Sequence, residues 1–241
     1  MLVRELIDFF ESIAPSSFQE SYDNVGLITG SPNIEISGII TCLDATEAVI
    51  DEAITLNCNV VVAHHPIVFR GIKKLNGTNY VERVVIKAIK HDIAIFAIHT
   101  NLDNVYDHGV NTIIANRLNL NKLEILDPKQ NLFHNNQKVG SGMIGKLKYP
   151  KEESAFLQYL KEKMDLKVVK HTALLGKPIE NVAVCGGSGS FLLQRAIEQN
   201  ADVFVTSDFK YHEFFDAENK IIIADIGHYE SERFTFEYLK S

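Results

Sequence analysis

Several things are scarce in this sequence, and each shortage argues against a class of protein. There are only three cysteines, Cys42, Cys58 and Cys185, odd in number, far apart and without a C-x-x-C pair. A disulfide framework is therefore not expected, and a reducing compartment, the cytoplasm, is. No apolar run approaches the roughly 20 residues that cross a bilayer, so no membrane role is expected. Basic residues never run beyond two in succession and the formal net charge is −7, so nucleic acid is not indicated as a partner. The opening MLVRELIDFFESIA sets Arg4, Glu5, Asp8 and Glu11 among apolar residues. That pattern predicts an amphipathic helix rather than a signal peptide.

What is present suits a folded α/β protein. Of the 241 residues, 46% are hydrophobic, enough for a large core in one compact domain or two small ones. Short apolar runs alternate with helix-like segments. Strands are predicted over Ile36–Leu43, Val60–Ala63 and Ile93–Ile98, and helices over Thr46–Leu56, Tyr80–His91 and Gly109–Leu118. Such alternation predicts largely parallel sheets covered on both faces. Residues Asn119–Pro150 break the rhythm and read as a linker followed by an antiparallel edge strand over Lys138–Lys148.

The second half repeats the first. Ile39–Cys42, Ala53, Asn57 and Val60–Val62 match Val182–Cys185, Ala196, Asn200 and Val203–Val205 at a constant offset. With a shorter connection, Ile93–Ile98 then matches Ile222–Gly227, which sets His99 and Asp103 opposite His228 and Glu232. The expectation is an internal duplication: two similar, interlocked α/β lobes, mostly parallel with an antiparallel edge. The lobes are placed at residues 1–125, with His64, His65 and Asp103, and 126–241, with His228 and Glu232 returning to a shared cleft. Two βαβ units also share an apolar rhythm by chance, so the test is whether their strand orders agree.

Three predicted strand ends carry metal-capable groups: His64-His65, His99 with Asp103, and His228 with Glu232. Ligands in open α/β sheets gather beyond the carboxyl ends of the strands, so these groups could open into one cleft. If a helix follows Gly227, His228 and Glu232 lie one turn apart on one face. HTNLDN reads as a loop in which Asp103 offers a carboxylate able to bridge ions. The inventory of His64, His65, Asp103, His228 and Glu232, with His99 as a sixth member, exceeds the needs of one tetrahedral zinc. It suits two ions sharing carboxylates, the arrangement that acidifies a water and clamps a hydrolytic transition state. Taken singly, each histidine also reads as a hydrogen-bonded structural residue. Gly186–Ser190 reads equally as an anion cradle and as a tight turn. Lys210-Tyr211-His212 reads equally as a cleft border and as a surface helix start. His91, His108, His134 and His171 have no partner pattern.

As a set, VAHHP, HTNLD, SDFKYHE and GHYESE, with YDNVGL and CGGSGS, resemble the GTP cyclohydrolase 1 type 2 homologue family of NGG-interacting-factor-like dinuclear metal proteins. The resemblance spans the chain in the same order. It implies metal ligands at His64, His65, Asp103, His228 and Glu232, and a homohexamer. Tyr22 stands where the family usually has Trp, and Ser207 where it usually has Gly. At 241 residues the chain resembles the short form, without an inserted middle domain. The resulting expectation is a metal-dependent hydrolase acting on a small, nucleotide-like substrate. Two divalent ions (zinc, iron, manganese, cobalt or nickel) serve as cofactors, and His99 transfers protons. The alternative is a non-catalytic metal-binding, regulatory or scaffold protein using the same ligands.

Overall fold

The computed structural model describes residues 1–240 and divides the chain into two compact units, Met1–Leu102 with Thr235–Ser241, and Asp103–Phe234. The division falls after Leu102 rather than near residue 125, and Asp103 opens the second unit instead of closing the first. The end of the chain belongs to the first unit. A boundary drawn from composition follows the polar stretch after residue 119, whereas the division follows packing.

In the first unit, α1 (Val3–Ile13) precedes β1 (Gly26–Thr29), β2 (Ile39–Asp44), α2 (Glu47–Thr55), β3 (Val60–His65), α3 (Tyr80–Lys90) and β4 (Ala94–Ala97). The sheet order is β1-β4-β3-β2, with β2, β3 and β4 parallel and β1 antiparallel to β4. Val60, Val61 and Val62 are buried on both faces, as their unbroken apolar run requires. Each such side chain contributes about 1.5–3 kcal/mol by leaving water. Thr46 and Asn79 cap α2 and α3 by accepting from Val49 N and Glu82 N. Ile50, Ala53, Val84 and Ala88 on these helices pack with Val61, Ala63 and Ile95 of the sheet. Phe10 of α1 stacks on Phe96 of β4, with ring centroids 5.3 Å apart. The terminal helix Thr235–Lys240 contacts β2 and β3.

The segment HTNLD, expected as a loop, holds one helical turn, α4 (Thr100–Asp103), closed by Leu102 N donating to the His99 carbonyl at 2.8 Å. The second unit continues through α5 (Val110–Arg117), β5 (Asn121–His134), β6 (Gln137–Lys151), α6 (Glu153–Met164), β7 (Lys170–His171), β8 (Ile179–Ser188), α7 (Leu193–Glu198), β9 (Val203–Ser207), β10 (Ile222–Asp225) and α8 (His228–Glu232). Its sheet order is β5-β6-β8-β9-β10-β7. Phe204 and Ile223 on this sheet pack with Leu192, Ala196 and Phe209 in the core.

The expected linker is instead half of a long hairpin. β5 pairs with β6, joined by Asn135-Asn136, whose φ values of 48° and 63° are the left-handed pair that a tight primed turn demands. β5 is an edge strand, which is why Pro128 is tolerated within it. The polar residues that suggested a linker lie along this exposed edge.

The two sheets share a topology. β7-β10-β9-β8 repeats β1-β4-β3-β2: three parallel strands in sequence order, with the preceding strand antiparallel to the third. Ile39 faces Val60, and Val182 faces Val203, as the repeat requires. The third strands correct the alignment by one residue. Val60 faces Ala94 but Val203 faces Ile222, so His99 corresponds to Gly227 rather than to His228. Both strands are wholly buried, and a run with no polar alternation carries no mark of register.

Candidate functional site

The first unit gathers three histidines at neighbouring strand ends. β3 ends in His64-His65, and His99 lies just beyond β4. Their ring centroids lie 5.0, 5.3 and 5.3 Å apart. One nitrogen from each lies within 4.8 Å of the others, a group able to hold a metal ion. His64 is fully buried.

The other ring nitrogen of each is committed. His64 Nδ1 donates to the Ile98 carbonyl at 2.8 Å. A carbonyl only accepts, so the proton must sit on Nδ1 and the Nε2 lone pair is presented. His65 Nδ1 donates to Asp44 Oδ1 and His99 Nδ1 to Asp23 Oδ1, each at 2.9 Å. This is the outer-shell pattern that fixes the tautomer of metal-binding imidazoles and raises their basicity. Asp44 is the last residue of β2, and Asp23 sits in the YDNVGL segment. The Asp23 side chain is fully buried. Burial pushes its carboxyl up, but hydrogen bonds from His99 and Thr100 outweigh this and hold it at about 2.

The second unit carries a matching set. His228 and Glu232, the ends of α8, bring Nε2 and Oε2 to 3.1 Å, so both aim at one point. His228 Nδ1 donates to Asp208 Oδ2 at 2.6 Å, and Asp208 also accepts from Ser188 Oγ. Glu232 is 2% exposed. Its hydrogen bond with His228, together with Asp208, outweighs burial and lifts the imidazole to about 9. Against the upward push of burial, His228 and Ser188 hold the Asp208 carboxyl below its ordinary value. Cys185 is buried between charges: desolvation first, then Asp103 and Glu232, push its thiol up. It is therefore a packed, protonated thiol rather than a nucleophile.

The glycine turn has a definite role. Gly187 has φ +62°, and a Cβ there would collide with the Glu232 carboxylate. Gly186 N donates to Asn111 Oδ1 and Gly187 N to Ser231 Oγ, both at 2.9 Å. These two amides are occupied, and the turn seats Glu232. Lys210 pairs with Glu213 at the start of a 3-10 turn, and Tyr211 packs on Phe215. Sequence reasoning did not assign the acceptors Asp23, Asp44 and Asp208. The usable signal was an acid directly at a strand end, which Asp44 and Asp208 both show.

Known proteins give a consistent picture. The family model described as Duf34/NIF3 (NGG1p interacting factor 3) matches residues 1–241. The GTP cyclohydrolase 1 type 2 homolog of Clostridium acetobutylicum is 33% identical over 231 residues, covering 95% of this chain and 85% of that protein. The homolog of that name from Staphylococcus epidermidis is 26% identical over 329 aligned residues, covering 95% of this chain and 89% of its own. That alignment is longer than the 241 residues present here, so this relative carries residues with no counterpart in the short chain. Among solved structures, a Bacillus cereus protein related to NIF3 superposes with a TM-score of 0.90 at 25% identity, covering 100% of this chain and 92% of its own. Reduced HcgD from Methanocaldococcus jannaschii does so with a TM-score of 0.82 at 26% identity, again covering 100% and 92%.

Proposed function

The chain belongs to the Duf34/NIF3 (NGG1p interacting factor 3) family, and on that premise we propose that it is a metal-dependent hydrolase of small, nucleotide-like substrates. His64, His65, Asp103, His228 and Glu232 are assigned as ligands of two divalent ions. One observation carries the reading: His64, His65 and His228 each lock Nδ1 onto an oxygen acceptor, so that Nε2 is the donor presented. Nitrogen and carboxylate donors in this mixture suit zinc, iron, manganese, cobalt or nickel. Bound divalent ions supply Lewis-acid activation of water and neutralise charge on the substrate.

The residues of the chain have distinct tasks. Asp44 and Asp208 hold His65 and His228 in one tautomer and one orientation. Gly187 gives the Glu232 carboxylate room. His99 is backed by Asp23 at Nδ1, so Nε2 is the position from which it exchanges a proton with substrate or water. The names of the curated relatives motivate GTP as the first substrate to try. Among the described residues no helix is long and apolar enough to cross a membrane, and Cys42, Cys58 and Cys185 are free thiols. We place the protein in the cytoplasm, as a homohexamer.

The test is turnover of GTP and a panel of phosphate esters by metal-loaded protein and by His65→Ala, with bound metal quantified by mass spectrometry. Two ions per chain, and turnover that the variant loses, are expected. Equal rates in the two proteins overturn the hydrolase reading. Stoichiometric metal without turnover favours a storage or regulatory role.

A further inference from the structure

Several cations of this acidic chain are neutralised where they stand. Arg83 pairs with Glu47, Lys87 with Asp51, Lys146 with Glu180, Lys177 with Asp202 and Arg195 with Asp127. The loop between β3 and α3 differs from these sites in gathering three cations around one concavity. Arg70, Lys73 and Lys74 all stand exposed on it, and among the described residues none of the three is in an ion pair. The three line one hollow of about 570 Å³. An acidic protein gains nothing in stability from three like charges left unneutralised around a concavity; such a cluster stores potential for an anion. Glu82 is the one acid on the lining. Its carboxylate is already engaged by Asn76 N at 3.2 Å, Thr78 N at 2.9 Å and Asn79 Nδ2 at 2.8 Å. Three cations against this one carboxylate leave the lining positive.

The hollow is tied to the histidine cluster within the same unit. Its wall begins at Pro66, the residue after His65. Asn24 Nδ2 pins the loop by donating to the Val68 carbonyl at 2.6 Å. Phe69 lines the hollow on one side and sets its ring 6.2 Å from His99, edge-on, on the other. A ligand seated among the three cations therefore lies one aromatic side chain away from His99. Tyr80, also on the lining, is 57% exposed and offers a face on which a planar group can stack.

We propose that this hollow is an anion-binding subsite that takes the phosphate chain of a phosphorylated small substrate, with Arg70, Lys73 and Lys74 as its cations. The proposal rests on reading the histidine cluster as the reaction centre, and it names the substrate class that centre serves. Multiple cations answer a multiply charged anion better than a single carboxylate. The Arg70 guanidinium can grip two phosphate oxygens at once, while the lysines act as point charges. Three cations gathered on one short loop around one hollow suit a small molecule rather than a polynucleotide, which needs an extended basic track.

The test is calorimetric titration of inorganic triphosphate into the full chain, stripped of metal and dialysed, so that metal ions cannot be the anion's seat. Wild-type binding that weakens as sodium chloride rises is expected. A loss of at least tenfold in affinity is expected for Arg70→Ala/Lys73→Ala/Lys74→Ala, and a partial loss for Lys74→Glu alone. Lys146→Ala, away from the hollow, should bind like wild type. Far-UV circular dichroism checks that the variants fold, and the single substitution keeps the test open if the triple variant does not. Equal affinity in wild type and the variants overturns the proposal, as does triphosphate binding that appears only after metal loading. Those two results leave the hydrolase reading standing. Loop-dependent binding in a protein that never turns over substrate supports the subsite and counts against the hydrolase.

Discussion

Replacing Gly187 by Ala separates two physical effects at the candidate metal centre. Gly187 has φ +62°, and in the left-handed region an alanine costs roughly 1–2 kcal/mol more than glycine. Its new methyl would also press on Glu232, a side chain only 2% exposed with little room to retreat. Overpacking of that kind costs roughly a further 1–3 kcal/mol. Gly176 is the control. It has φ +74° but nothing within 4 Å of the position a Cβ would take, so Gly176→Ala carries the backbone effect alone. Urea unfolding of the metal-free proteins should place Gly187→Ala about 2–5 kcal/mol below wild type and Gly176→Ala about 1–2 kcal/mol below it. The displaced carboxylate should also weaken metal retention, by the 10–100-fold typical when the support of a ligand is disturbed, while Gly176→Ala retains metal like wild type. Competition with a chromophoric chelator reads this directly. Equal destabilisation by the two substitutions, or undiminished metal affinity in Gly187→Ala, refutes the claim that Gly187 exists to seat Glu232.

Four further outcomes are expected. Asp23 has a folded value of about 2 against an ordinary 3.8, so its contribution, about 2 kcal/mol, is present above pH 3.8 and is lost as pH falls through 2. Asp23→Asn should therefore show a shallower fall in urea midpoint between pH 5 and pH 2 than wild type, and parallel curves would count against this account. Asp208→Ala leaves His228 Nδ1 without its acceptor and should weaken metal binding by about 10–100-fold, measured by chelator competition. Phe204→Ala empties a fully buried site in the second unit and should cost about 3–5 kcal/mol on urea unfolding. Asn136→Ala places a Cβ-bearing residue with no side-chain amide at φ 63° and should cost about 1 kcal/mol, read from the same titration.

Much of the molecule was determined by the sequence alone, wherever the information is local. The apolar run Val60–Val62 compels a buried strand, Thr46 and Asn79 mark where α2 and α3 begin, and His228 and Glu232 fall one turn apart on a short helix. The repeat was legible too, because conserved spacing between apolar runs survives without knowledge of contacts, and the shared strand order bears it out. The tertiary structure decided what depends on partners distant in the chain. Asp23 meets His99 across 76 positions, and nothing local to either residue announces the other. Register between wholly buried strands was likewise undetermined, since a strand buried on both faces shows no alternation that a one-residue slip would break. The β5 half of the hairpin escaped for the opposite reason: an exposed, polar edge strand lacks the alternation that marked β6, and only pairing holds it in place. Hydrophobic periodicity reports how a residue faces water; which residue it faces across the fold is settled only when the chain closes on itself.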